Sequence, residues 1–269
     1  METIGIIAGN GRFPILTAEE IRSEGHRVVV CGIEKEADPL LESLAESFQW
    51  VKIGQLRKLR DFFLKENARQ IIMAGKIEKV RLFQENVRPD LDMVKVVAKL
   101  RDFKDDSLLG GISDYLEGEG LRLLDSTTFF KKWMPGTGTL GRHKPSREIM
   151  EDVAFGFKMA KAVAGLDIGQ TVVVKKKAVL AVEAIEGTDQ AIRRAAELGR
   201  EKIVVVKVAK PKQDMRFDVP AVGLTTLSEL VKAKAEAFAF EAGKTLFLDQ
   251  AEFIKKADQH RIALIGYSE

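Results

Sequence analysis

Asp214, Arg216 and Asp218 stand at alternate positions in the run KPKQDMRFDVPAVG (210–223), which also carries Lys210, Lys212, Gln213, two prolines and Gly223. In an extended segment a spacing of two puts all three side chains on one face. Carboxylates so placed can hold a hard cation or activate water. Arg216, with Lys207, Lys210 and Lys212, can neutralise phosphate oxygens. Those are the parts that phosphoryl chemistry requires. The loop follows the apolar run KIVVVKV (202–208), and ligands of α/β sheets gather outside the carboxyl ends of strands. Asp214, Asp218 and Arg216 are therefore the catalytic candidates. Lys210, Gln213 and Gly223 are substrate-binding candidates, and a solvated ion-pair loop is the alternative.

Other clusters could contribute. In VEAIEGTD, Glu183, Glu186 and Asp189 surround Gly187 and Thr188 at a strand-to-helix junction. Two carboxylates there could bind a divalent cation, so Glu183 joins Asp214 and Asp218 as a metal-ligand candidate, and Glu186, Gly187 and Thr188 join the substrate-binding set. Helix capping by Thr188 or Asp189 is the competing reading. In RDFKDDSLLGGI, Asp105 and Asp106 precede a helix that one of them can cap. The turn AGNGRFP lies between an apolar strand and a helix. Its glycines would let backbone amides approach an anion at the helix N-terminus, as for a nucleotide phosphate. Gly9, Asn10, Gly11 and Arg12 are the candidates there, with Lys76 after a later strand. Pro14 stands where a dinucleotide fingerprint wants glycine, which weakens an NAD reading.

The elements that must position these residues follow from the apolar pattern. Ile4 to Ala8 and Val28 to Ile33 are continuous apolar runs, as in strands covered on both faces. Further strands are expected at 70–74 and 121–124, with helices at 56–66 and around 108–119. After the break FFKKWMPGTGTLGRHKPS come a helix at about 146–164, a hairpin turning at 175–177, a helix at 188–198 and a strand at 202–208. Beyond the loop follow a helix at 225–238, a strand at 245–248, a helix at 250–258 and a last strand at 262–267. The expected fold class is α/β in two domains. These are an N-terminal Rossmann-like doubly wound parallel sheet (1–132), a Gly/Pro-containing linker (133–146) and a C-terminal mixed α/β catalytic domain (147–269).

Composition sets the surroundings. With 43 basic and 40 acidic residues among 269, the net charge is +3, so charge alone demands no nucleic acid. Hydrophobic content of 45% with 31% charge suits a folded soluble chain, and no uncharged apolar stretch is long enough to span a bilayer. The opening METIGIIAGNG lacks a secretory leader, so a cytoplasmic protein is expected. Cys31 is the single cysteine and sits in RVVVCGI, as a buried structural thiol would. His26, His143 and His260 are scattered, and no Cys/His spacing suggests zinc.

The succession GIIAGNGRFP, DDSLLGGISDYLEGEG, GTGTLGRHKPS, TVVVKKKAVLAVEAIEGTD, KPKQDMRFDVPAVG and FEAGKTLFLD resembles the LpxI family, UDP-2,3-diacylglucosamine pyrophosphatases of lipid A biosynthesis. The resemblance covers essentially the whole chain. It implies a hydrolase dependent on Mg²⁺, or Mn²⁺, that releases UMP and 2,3-diacylglucosamine 1-phosphate (lipid X). It also implies two domains with the substrate held between them, and a peripheral place on the inner-membrane surface. The family's essential aspartate carries over to QDMRFDVP, where Asp214 and Asp218 both remain open. An apolar groove for acyl chains is expected; Phe129, Phe130, Trp133 and Met134 are candidates either to line it or to form interdomain core. A homodimer is a further expectation. An NAD(P)-linked oxidoreductase and a non-catalytic nucleotide-sugar binder are the alternative functions.

Overall fold

The computed structural model describes residues 1–77, 89–100 and 105–269. The side chains of Asp105 and Asp106 lie outside the described residues. The chain forms two compact units: Met1–Phe129 with Met215–Phe217, and Phe130–Asp214 with Asp218–Glu269.

The first unit is built on a parallel sheet of β1 (Thr3–Ala8), β2 (Arg27–Ile33), β3 (Ser47–Val51), β4 (Gln70–Ala74) and β5 (Arg122–Leu123) in the order β3-β2-β1-β4-β5. Its described helices are α1 (Phe13–Ser23), α2 (Leu41–Leu44), α3 (Leu56–Lys65), α4 (Leu91–Val97) and α5 (Asp105–Gly118). Ile4, Ile6, Val28, Val29, Val30 and Cys31 are all buried, as continuous apolar strands require. Burial pushes the Cys31 thiol far above its ordinary range, which agrees with an inert structural cysteine. Strand β3 was not expected from the sequence. Its residues SFQWV are mostly half-buried and carry no continuous apolar run, and Phe48 and Trp50 are seated over Gly32, where a Cβ would come within 2.5 Å of Phe48.

The second unit holds a mixed sheet of β6 (Gly138–Leu140), β7 (Thr171–Lys175), β8 (Ala178–Val182), β9 (Val204–Lys207), β11 (Ala237–Glu241) and β13 (Ala263–Tyr267), in the order β6-β13-β11-β9-β7-β8. A short parallel pair, β10 (Ala221–Val222) and β12 (Leu246–Phe247), stands apart from it. β9, β11 and β13 are mutually parallel, while β6, β7 and β8 pair antiparallel. The helices are α6 (Arg147–Gly165), α7 (Thr188–Gly199), α8 (Leu224–Lys232) and α9 (Gln250–Gln259). Ser146 caps α6 by accepting from the Ile149 amide at 3.2 Å.

One helix expectation is overturned. The span 225–238 is helical only to Lys232; the chain then turns at Lys234, with φ of 48°, and Ala237–Glu241 becomes the fully buried strand β11. Phe238 and Phe240 there pack with Phe247 and Phe253, with ring centroids 4.7 Å apart for Phe240 and Phe247. Tertiary burial outweighs the helix propensity of the alanines and lysines around it. Phe129 and Phe130, which the sequence left open between an exposed groove and core, are buried at 8% and 0% exposure. Phe129 meets the His26 ring edge-on and Phe130 meets Trp133, because aromatic area is most stabilising when removed from water.

Candidate functional site

In the second unit the parallel strands β9 and β11 end side by side at Lys207 and Glu241, and β7 begins opposite Lys207 at Thr171. Strand β8 leads into the turn before α7 on the same edge. Lys207 is buried, and its Nζ donates to Thr188 Oγ1 at 2.8 Å. Thr188 in turn donates to Glu183 Oε1 at 3.0 Å and lies 3.3 Å from Thr171 Oγ1. A hydroxyl has one proton and two lone pairs, so Thr171 must be the donor in that last contact. Glu241 is buried as well. Burial opposes its charge, but bonds from Lys244 Nζ, the Ala209 amide and Lys161 Nζ outweigh burial and hold its carboxyl below the usual carboxylate range.

Glu241 thereby fixes the start of the loop 208–220 at Ala209. Within that loop Gln213 accepts from the Lys210 amide at 2.7 Å and donates to the Asp218 carbonyl at 2.8 Å and to Asp218 Oδ2 at 2.6 Å. Gln170 Nε2 approaches the same Oδ2 at 3.5 Å. Asp218 Oδ1 has no partner among the described residues. The carboxylate is thus held by one oxygen and presents the other, the arrangement expected of a group that accepts a proton or meets a cation.

The premise of one shared face fails. The Asp218 amide donates to the Asp214 carbonyl at 3.1 Å, closing a turn, so the segment is not extended. Asp214 and Asp218 stand at the two ends of this turn. Met215–Phe217 belongs instead to the first unit, where the Ser126 amide donates to the Met215 carbonyl at 3.0 Å and Ser126 Oγ lies 2.7 Å from the Met73 and Arg216 carbonyls. Arg216 donates to Ser113 Oγ at 2.9 Å and pairs with Glu117 at 3.3 Å, with its guanidinium 5.0 Å over the Phe217 ring.

Glu183, Glu186 and Asp189 do not converge on a cation either. Glu183 accepts from Thr188 and from the Gln170 amide, Glu186 pairs with Arg194 at 2.6 Å, and Asp189 accepts from Thr226 at 2.8 Å. Among the described residues no three His, Cys, Asp or Glu side chains group as metal ligands. Gly187 precedes α7 at φ 82° and ψ 167°, a conformation open essentially to glycine alone, whereas Gly223 before α8 is extended. Lys210 Nζ pairs with Asp167 at 2.6 Å.

In the first unit the turn after β1 is tied to the end of β4 by the Asn10–Lys76 bridge, with the Asn10 amide 2.6 Å from the Lys76 carbonyl. Gly9 serves this approach: a Cβ there would lie 2.5 Å from the Lys76 carbonyl oxygen. The missing Cβ therefore admits the backbone of Lys76 on that side. Gly11, with φ of 100° and open space around it, is the glycine that leaves room before α1. Asn10, Gly11, Arg12 and Lys76 are exposed together where the order of strands reverses between β1 and β4.

A family model of the LpxI N-terminal domain matches residues 3–133, and one of the LpxI C-terminal domain matches residues 136–265. The chain belongs to the LpxI family. It is 31% identical over 277 residues to UDP-2,3-diacylglucosamine pyrophosphatase LpxI of Caulobacter vibrioides, covering 99% of this chain and 98% of that protein. Solved structures overlap it only loosely. The biotin carboxylase domain of a thermophilic 2-oxoglutarate carboxylase shares 12% identity over 63% of this chain and 34% of its own, with a TM-score of 0.27. N5-carboxyaminoimidazole synthetase from Staphylococcus aureus shares 14% over 72% of this chain and 44% of its own, with a TM-score of 0.24. The chain spans less than half the length of these structures, and at such scores they carry no argument.

Sequence reasoning missed two residues of this candidate site. Gln170 precedes the run TVVV and Glu241 ends AFAFE, and a polar residue at the end of an apolar strand is the one local signal either gives. Among the described residues no helix is long and apolar enough to cross a membrane.

Proposed function

We propose that this LpxI-family chain hydrolyses the pyrophosphate bond of UDP-2,3-diacylglucosamine, giving UMP and 2,3-diacylglucosamine 1-phosphate, a step of lipid A biosynthesis. The family and the name of the Caulobacter relative supply the reaction. The observation that carries it to a residue is Asp218, whose Oδ2 is held by Gln213 while Oδ1 stays without a partner among the described residues. Asp218 is then the acceptor of the water proton.

The proposed cation is Mg²⁺, or Mn²⁺. The donor set does not fit an all-protein cage, but it fits a cation held by one or two carboxylates and shared with substrate phosphates, as Mg²⁺ usually is. Asp214, at the other end of the turn from Asp218, would hold it. Such a cation would neutralise charge on the pyrophosphate. Lys207, Lys210 and the N-terminus of α7 supply further positive potential at that sheet edge.

The strand order β3-β2-β1-β4-β5 supports the Rossmann-like reading of the first unit, with Asn10, Gly11, Arg12 and Lys76 as candidates for a nucleotide phosphate. An apolar surface supports a lipid-linked substrate and a peripheral membrane contact. Leu166, Ile168 and Ile185 are 72%, 48% and 105% exposed, and their loops meet where Gly169 packs on the Glu183 carbonyl beside Gln170.

The deciding experiment is UMP release from UDP-2,3-diacylglucosamine with Mg²⁺ and then with excess chelator, alongside Asp218→Asn and Asp214→Asn. Turnover that needs the cation and is lost in Asp218→Asn is expected. Tight binding of the lipid by folded wild-type protein without UMP release would replace the hydrolase with a nucleotide-sugar binder.

A further inference from the structure

Gln170 is clamped at the start of β7: its amide donates to Glu183 Oε2 at 3.3 Å and its carbonyl accepts from the Val208 amide at 2.9 Å. Its side chain is thereby held at the sheet edge beside Asp218. The amide orientation is fixed by chemistry. Turning it over would set a carbonyl oxygen 3.5 Å from the carboxylate oxygen Asp218 Oδ2, which repels it, so Nε2 faces Asp218. The other end, Gln170 Oε1, is buried and has no hydrogen-bond partner among the described residues. Buried acceptors without a donor are rare in folded proteins, so this one calls for a donor that arrives with the reactants.

Resting on the hydrolase reading, we propose that Gln170 is a positioning residue that orients the attacking water. One O–H of the water donates to Asp218 Oδ1 and the other to Gln170 Oε1, which leaves an oxygen lone pair directed away from both acceptors and toward phosphorus. In the step itself the water oxygen bonds to one phosphorus of the pyrophosphate, and the bridging P–O bond breaks. The departing phosphate keeps that electron pair, and the water proton passes to Asp218 Oδ1. The same Gln170 amide restrains Asp218 through Oδ2, so one side chain serves both the base and the nucleophile.

The test is steady-state UMP release by the full chain and its Gln170→Met and Gln170→Asn variants, with thermal melts of each. Gln170→Met keeps the length of the side chain and removes both polar ends. It is expected to lower kcat roughly 100-fold while KM stays within about threefold, since the water contact belongs to the chemical step. Gln170→Asn, which keeps the amide on a shorter stem, should recover part of that loss. If Gln170→Met does not melt cooperatively, Gln170→Asn carries the test, with kcat at least about tenfold below wild type at unchanged KM. A kcat within threefold of wild type, or a raised KM at unchanged kcat, would overturn the proposal while leaving the hydrolase in place. A wild-type chain that releases no UMP would overturn the hydrolase reading and this inference with it.

Discussion

Gln213 grips Asp218 twice, at the backbone carbonyl (2.8 Å) and at Oδ2 (2.6 Å), while its own Oε1 accepts from the Lys210 amide at 2.7 Å. A single amide side chain therefore sets both the course of the loop and the direction of the carboxylate. A hydrogen bond to a charged group contributes about 1.5–3 kcal/mol. Gln213→Ala is expected to lower kcat about 10- to 100-fold on that scale. Gln213→Glu, which puts a second carboxylate against Asp218 Oδ2, should lower it further. Initial-rate kinetics on the two variants check this; equal activities would show that Gln213 does not orient Asp218.

Gly187 and Gly223 both precede helices, yet only one is constrained. At φ 82° and ψ 167° a side chain is strained, whereas φ of −144° suits any residue. Gly187→Ala is expected to cost about 1–3 kcal/mol in urea unfolding, and Gly223→Ala to change little. A Cβ at Gly223 would meet Leu248 at an ordinary 3.7 Å.

Glu229 clasps α7 to α8. It is buried and accepts from Arg193 at 2.6 and 2.9 Å and from Lys232 at 2.9 Å, and these bonds, Arg193 first, hold its carboxyl down to about 2 against an ordinary 4.5. Because the folded value is the lower one, the stabilisation is fully present above pH 4.5 and fades as pH falls toward 2. Glu229→Gln should lower the urea midpoint at pH 7, and the gap to wild type should narrow steadily below pH 4.5. A gap that stays constant to pH 2.5 would contradict the clasp.

Cys31 lies at 0% exposure with its thiol pushed far up by burial. A disulfide-exchange reagent should leave the native chain unmodified and label one thiol per chain in denaturant.

Much of the framework was legible in the sequence because its signals are local. The apolar runs of β1 and β2, the Ser146 cap and the hairpin turn at Lys176 and Lys177, both at positive φ, depend on residues within a few positions of each other. Strand β11 was not legible, since AFAFE reads as helix until burial between β9 and β13 decides it. The loop 210–223 stood out by its interleaved acids and bases, but its internal arrangement did not.

By itself the sequence determined the α/β class, the two-part organisation suggested by its motifs and the segment in which to look for the reactive carboxylate. The tertiary structure decided what that segment does. The pairing of β7 with β9 brings Gln170 to Asp218 across 48 residues, the packing of α6 brings Lys161 to Glu241 across 80, and Arg216 meets Ser113 and Glu117 within the first unit. Side-chain periodicity fixes which face a residue takes within its own element. Which partners meet there depends on the pairing of strands distant in the chain, and no local pattern encodes that.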